Sequence, residues 1–95
     1  MNEEIDQAPI IFTGHLDTVF LEGTAAKNPF RIDEDGMMHG PGIDDMKSGI
    51  VIGLYTLLAL KMIGYQERPI KFIMVTDEEN LHMFSKAKDK IRQEA

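Results

Sequence analysis

An α/β fold built on a parallel pair of strands, with a β-hairpin and a crossover helix between them, is what this sequence predicts. Three observations carry that prediction. Two apolar, β-branched runs, Pro9-Ile10-Ile11-Phe12-Thr13 and Pro69-Ile70-Lys71-Phe72-Ile73-Met74-Val75-Thr76, have the length and residue types of buried strands. A long apolar segment of helical length lies between them and ends at Gly64. The order strand, helix, strand implies parallel pairing with a right-handed connection.

The elements follow in order. Residues 1–8 are acidic and read as a flexible N-terminal segment, with the domain proper over 9–95. The first strand ends at Gly14. Residues 16–28, with Gly23 inside, read as a loop. Residues 29–33 and 37–39 flank Glu34-Asp35-Gly36, whose Asp-Gly pair suits the positive φ of a tight hairpin turn. That acidic turn lacks the alternating oxygen ligands and closing Glu of a calcium loop. Gly40-Pro41-Gly42 is a sharp loop. A helix is expected over about 45–63. Its apolar residues Ile50, Val51, Ile52, Leu54, Leu57, Leu58, Leu60 and Met62 wrap most of the circumference, which predicts burial on more than one side. Ser48, Gly49 and Gly53 allow close approach to a sheet, and Gly64 suits a C-cap. The second strand covers 69–76, and a polar helix is expected over about 85–94.

Composition narrows the function. With 95 residues the chain has room for one small domain of modest stability. It has no cysteine, so any metal site must use His, Asp and Glu. A net charge of −6 argues against a nucleic-acid binder, which needs a basic surface. The longest apolar stretch, 50–60, is interrupted by Gly53, Tyr55 and Thr56 and is too short for a membrane span. The acidic start lacks the basic and apolar parts of a secretory signal, so the expected location is the cytoplasm.

The topology places the chemistry. In open α/β sheets ligands bind beyond the carboxyl ends of the strands. His15 and Asp17 lie just past the first strand, Asp77-Glu78-Glu79 just past the second, and Asp44-Asp45 where the chain enters the crossover helix. Singly, each cluster has an ordinary explanation: a surface loop, a helix N-terminus that welcomes carboxylates, a solvated turn. Together they put one imidazole and several carboxylates on one edge, an N/O donor set that zinc accepts.

Three segments then resemble successive metal-site motifs of the M20 metallopeptidase family: Gly14-His15-Leu16-Asp17-Thr18-Val19, Gly40-Pro41-Gly42-Ile43-Asp44-Asp45-Met46-Lys47-Ser48-Gly49, and Thr76-Asp77-Glu78-Glu79. Leu21-Glu22-Gly23 and residues 26–32 resemble the glutamate carboxypeptidase branch, the carboxypeptidase G2-like enzymes. The likeness covers roughly 9–95. It implies the front part of an incomplete zinc-peptidase catalytic domain, and an amide or peptide bond cleaved by a two-zinc-activated water. By position it implies that His15 ligates one zinc, Glu79 the other, and Asp45 bridges both. Asp17 would hydrogen-bond the second ring nitrogen of His15, Glu78 would be the general base, and the peptide after Asp45 would be cis. Cobalt is the expected substitute metal, small peptides or acylated amino acids the expected substrates, and homo-oligomerisation a candidate property.

The pattern departs from the family at Leu81, where a glycine is usual. Full members are also several times longer and supply further ligands downstream, so this chain alone is expected to be inactive. Two alternatives stay open: a non-catalytic remnant or oligomerising module, and an acidic interaction domain. His39 is expected at the surface, Asp44 as a helix cap or an acid behind the ligands, and His82 outside the ligand set. Lys47 is open between a structural ion pair and a role near the site.

Overall fold

A computed structural model describes residues 1–83 and 85–95. Its elements run β1 (Ile10–His15), α1 (Thr24–Lys27), β2 (Arg31–Ile32), β3 (Met38–His39), α2 (Ser48–Met62), β4 (Ile70–Val75) and α3 (Ala87–Glu94), with a single 3-10 turn over Glu78–Asn80. β1 and β4 pair in parallel, from Ile10↔Ile70 through His15↔Val75, and α2 is their crossover. No helix among the described residues is long and apolar enough to cross a membrane.

β1 continues one residue past the expected strand end at Gly14. The Leu16 N–H donates to the Val75 carbonyl at 2.8 Å, so the ladder holds beyond Gly14. Gly14 also lets the helix come close: a Cβ there would lie 3.2 Å from Ile50 Cγ1 and 3.4 Å from Met46 Cε. His15 is therefore the last residue of the strand rather than the first of a loop. At the opposite end Met1 exchanges backbone hydrogen bonds with Ile70, and Asn2 Nδ2 donates to the Tyr65 carbonyl at 2.8 Å. The segment expected to be flexible is thus tied at Met1 to β4 and at Asn2 to the turn that leads into it.

The hairpin forms as β2 against β3, with Arg31 opposite His39 and Ile32 opposite Met38. Asp33 shapes its turn by accepting the N–H groups of Asp35 and Met37, both at 2.9 Å. Gly36 takes the positive φ of +80°. Within the expected loop 16–28, residues 24–27 instead make one helical turn, α1. It buries no side chain, so it leaves no apolar period to read.

α2 starts three residues later than expected. Asp45 (φ −117°, ψ 99°) and Met46 (φ −136°, ψ 41°) are non-helical, and the peptide between them is cis. The turn is closed by the Lys47 N–H, which donates to the Gly42 carbonyl at 2.8 Å. At the other end Gly64 (φ +74°) ends the helix, with Tyr65 N–H donating to the Leu60 carbonyl and Gly64 N–H to that of Lys61. That bonding pattern is the Schellman motif.

The expectation of burial around α2 is corrected. The helix seats one face on the sheet, where a Cβ on Gly53 would meet the Phe72 ring at 2.8 Å. Ile52, Tyr55, Leu58 and Met62 stay exposed. A two-stranded sheet covers only one side of a helix, and among the described residues no second layer lies over the other. The radius of gyration is 16.3 Å, against about 12 Å for a compact domain of this length. Phe72 faces α2; its neighbour Lys71 faces the other way and binds Glu94 of α3 at 2.6 Å. The Lys71 ammonium, with Lys90 beside it, holds the Glu94 carboxyl down at about 2.

Candidate metal centre

Three separate segments meet at the carboxyl edge of the β1–β4 pair. His15 closes β1, Asp45 sits in the turn before α2, and Glu78 and Glu79 occupy the 3-10 turn just past β4. One donor atom each from His15, Asp45 and Glu79 lie within 4.8 Å of one another. His15 is buried, Glu79 half-buried and Asp45 exposed, so the cluster opens to solvent on one side.

The hydrogen bonds of His15 show what the cluster can accept. Its Nδ1 lies 3.0 Å from the Asp17 carbonyl and its Nε2 2.9 Å from Asp45 Oδ1. Both partners are acceptors, so Nδ1 must carry a proton. A neutral ring would then aim its Nε2 lone pair at a carboxylate. Only the imidazolium, or a cation in place of the Nε2 proton, satisfies both ends. The pKa of His15 reflects this: burial disfavours the charged ring, but the Asp17 carbonyl and the carboxylates of Asp45 and Glu78 outweigh burial and raise it above 6.5. Glu79 is also raised, first by lost hydration and then by the Asp45 carboxylate. Such a cluster suits a divalent cation, which relieves both costs at once.

Asp17 meets the second ring nitrogen of His15 through its main chain. Its carboxylate stands 3.5 Å from His15 Nδ1, and its carbonyl takes the shorter contact. The carboxylate oxygens instead accept the N–H groups of Glu78 at 3.2 Å and Glu79 at 2.9 Å. Burial pushes its pKa up, but these two N–H groups prevail and hold it below the usual carboxylate range. Asp17 thus ties the end of β1 to the turn that carries both glutamates. Glu78 Oε2 lies 3.6 Å from His15 Nε2, beside the donor cluster rather than in it.

Asp77 is the residue whose role the sequence concealed. It reads as one more acid in a solvated turn, yet it is buried. It accepts the Ser85 hydroxyl at 2.7 Å and faces His82 Nδ1 at 3.3 Å, while its carbonyl accepts the N–H groups of Asn80 and His82. A signal was available in Ser85 and His82, two polar groups within eight residues. Leu81, in the place of the usual glycine, adopts φ +54°, so the turn persists with a side chain in the left-handed region. Asp44 is exposed and outside the cluster. His39 belongs to the hairpin and pairs with Asp33 at 2.7 Å. Lys47 Nζ donates to the Leu16 carbonyl at 2.9 Å.

Several known proteins are similar to this chain. The profile described as Peptidase family M20/M25/M40 matches residues 11–91. Carboxypeptidase G2 of Pseudomonas sp. (strain RS-16) is 40% identical over 87 residues, 90% of this chain and 20% of that protein. The Beta-Ala-Xaa dipeptidase of Lactobacillus delbrueckii subsp. lactis is 35% identical over 69 residues, 70% of this chain and 15% of its own length. The succinyl-diaminopimelate desuccinylase of Corynebacterium glutamicum is 43% identical over 51 residues, 54% of this chain and 13% of its own. The chain therefore spans a fifth or less of the curated relatives it matches. No solved structure matches it significantly.

Proposed function

The chain belongs to peptidase family M20/M25/M40, and from that membership we propose that it carries the front part of a metallohydrolase catalytic domain that cleaves an amide or peptide bond. The meeting of His15, Asp45 and Glu79 at one sheet edge is the observation that supports this. His15 and Glu79 would each hold one of two zinc ions and Asp45 both, with cobalt as a substitute. When bound, such a pair supplies a lowered pKa for water and a polarised substrate carbonyl. The chain's own residues do the rest. Glu78 takes a proton from the attacking water and returns it to the leaving amine. Asp17 holds the Glu78–Glu79 backbone against the end of β1, and its carbonyl fixes the His15 tautomer. The substrate class is a small peptide or an acylated amino acid.

Three protein donors shared between two cations leave each short of the three that catalytic zinc takes, so the isolated chain is proposed to be inactive. The test is metal content and amidase turnover of this chain alone and of the same residues grafted into the full-length carboxypeptidase G2 framework. The graft should turn over and the isolated chain should not. Glu78→Gln in the graft should lose at least about a hundredfold in turnover and keep its metal; normal turnover in that variant would remove Glu78 from the mechanism. The bare face of α2 favours a second reading, a non-catalytic module that assembles through Ile52, Tyr55 and Leu58. Concentration-dependent self-association without zinc uptake would select it.

A further inference from the structure

We propose that Lys47 is a positioning residue of the metal centre, a clamp that sets the His15-bearing strand end against the Asp45-bearing turn. The proposal rests on the metal-binding role given above. Three contacts converge on it. Lys47 Nζ donates to the Leu16 carbonyl at 2.9 Å, across 31 residues of sequence. Leu16 lies between His15 and Asp17, and Lys47 lies two residues past Asp45, so this one bond joins the backbone segments that present two of the three donors. The Lys47 N–H closes the same turn onto the Gly42 carbonyl at 2.8 Å. Gly42 then lies flat against both: a Cβ there would be 2.7 Å from Thr18 Cγ2, 3.2 Å from Lys47 Nζ and 3.6 Å from Lys47 Cδ.

An exposed lysine–carbonyl bond is ordinarily worth little, because water replaces either partner. Here the lysine stem runs past the bare backbone of Gly42, and Thr18 closes the gap from the other loop. That seating holds the ammonium where the carbonyl is, so less rotamer freedom remains to be lost on bonding. Asp17 fastens the same loop to Glu78 and Glu79. The loop over residues 16–18 is thereby gripped on both sides, by Lys47 toward Asp45 and by Asp17 toward Glu79. Without the clamp the Asp45 turn keeps its own closure and the side-chain contact from Asp45 Oδ1 to His15 Nε2, but no backbone bond to the 16–18 loop from Lys47, so it can drift from His15 and loosen a donor cluster that needs all three groups at once.

The experiment compares this chain with Lys47→Met and Lys47→Arg in two readouts. Zinc affinity is measured by competition with a chromogenic chelator. Lys47→Met should bind zinc about three- to tenfold more weakly, and Lys47→Arg, which keeps a donor cation, should stay within about twofold of the parent. The nuclear Overhauser contact between the Thr18 methyl and Gly42 is measured in metal-free protein. It should be present in the parent and the arginine variant and weakened in the methionine variant. Equal zinc affinity in parent and Lys47→Met, or an arginine variant as weak as methionine, overturns the clamp. If the parent takes up no zinc, the metal-binding role fails while the clamp is still judged: an unchanged Thr18–Gly42 contact in Lys47→Met overturns it, and loss of the contact upholds it as a loop-positioning device.

Discussion

Replacing Gly42 by alanine probes the glycine whose added Cβ would meet a neighbour at the shortest distance, 2.7 Å. Two costs add. Gly42 has φ +76°, where an L side chain costs about 1–2 kcal/mol. Its new Cβ would also meet Thr18 Cγ2 at 2.7 Å and Lys47 Nζ at 3.2 Å, and forcing such loops apart costs about 1–3 kcal/mol more. Gly36→Ala is the internal control. Its φ is +80°, but a Cβ there meets nothing within 4 Å, so only the backbone cost of about 1–2 kcal/mol applies. Urea unfolding of the metal-free chain, followed by circular dichroism, should place Gly42→Ala about 1–3 kcal/mol below Gly36→Ala. Zinc affinity should fall in the first variant and hold in the second, because only Gly42 lies between donor-bearing segments. Equal stability losses in the two variants, or zinc affinity falling equally in both, would refute the claim that packing at Gly42 sets the donor spacing.

Leu81→Gly should stabilise the chain by about 1 kcal/mol, since Leu81 sits at φ +54° with its side chain exposed, and urea midpoints check it. Stability of the metal-free chain should fall as pH rises through the His15 pKa. That pKa is raised in the fold, so its contribution is full below 6.5 and lost above the folded value. On the proposed metal-binding role zinc would take the place of the Nε2 proton, so zinc-dependent stabilisation should grow over the same interval, and melting curves with and without zinc should slope in opposite directions. Glu94 titrates the other way: with its pKa lowered from 4.5 to about 2, its hold on Lys71 is complete above 4.5 and lost as pH falls toward about 2. Amide exchange in α3 should accelerate over that interval, and Lys71→Met should show the fast exchange already at neutral pH.

The strands and hairpin were legible because local chemistry decides them. Ile10, Ile11 and Phe12, like Ile70, Phe72 and Ile73, favour extended backbone wherever they stand, and Asp33 and Gly36 settle their turn within five residues. The meeting of His15, Asp45 and Glu79 was legible at one remove, through the parallel pairing that brings both strand ends to one edge. What stayed hidden depends on distant partners. Asp45 and Met46 read as the start of the helix; their departure from helical backbone accompanies the closure of Lys47 onto Gly42 and Leu16. Asp17 stands two residues from His15, but its carboxylate is drawn to amides more than sixty residues away in sequence. The apolar circumference of α2 signals a partner for each side, whereas the chain provides one.

The parallel register between β1 and β4 also orders events in time. Residues such as Ile10 and Ile70 are far apart along the chain, and contacts of that kind form late because loop closure must precede any reward. His15 and Glu79 become neighbours only once that pairing exists. An ion that needs both donors can therefore bind only a chain in which that pairing has already formed, so its binding energy goes to the folded state and not to the open chain.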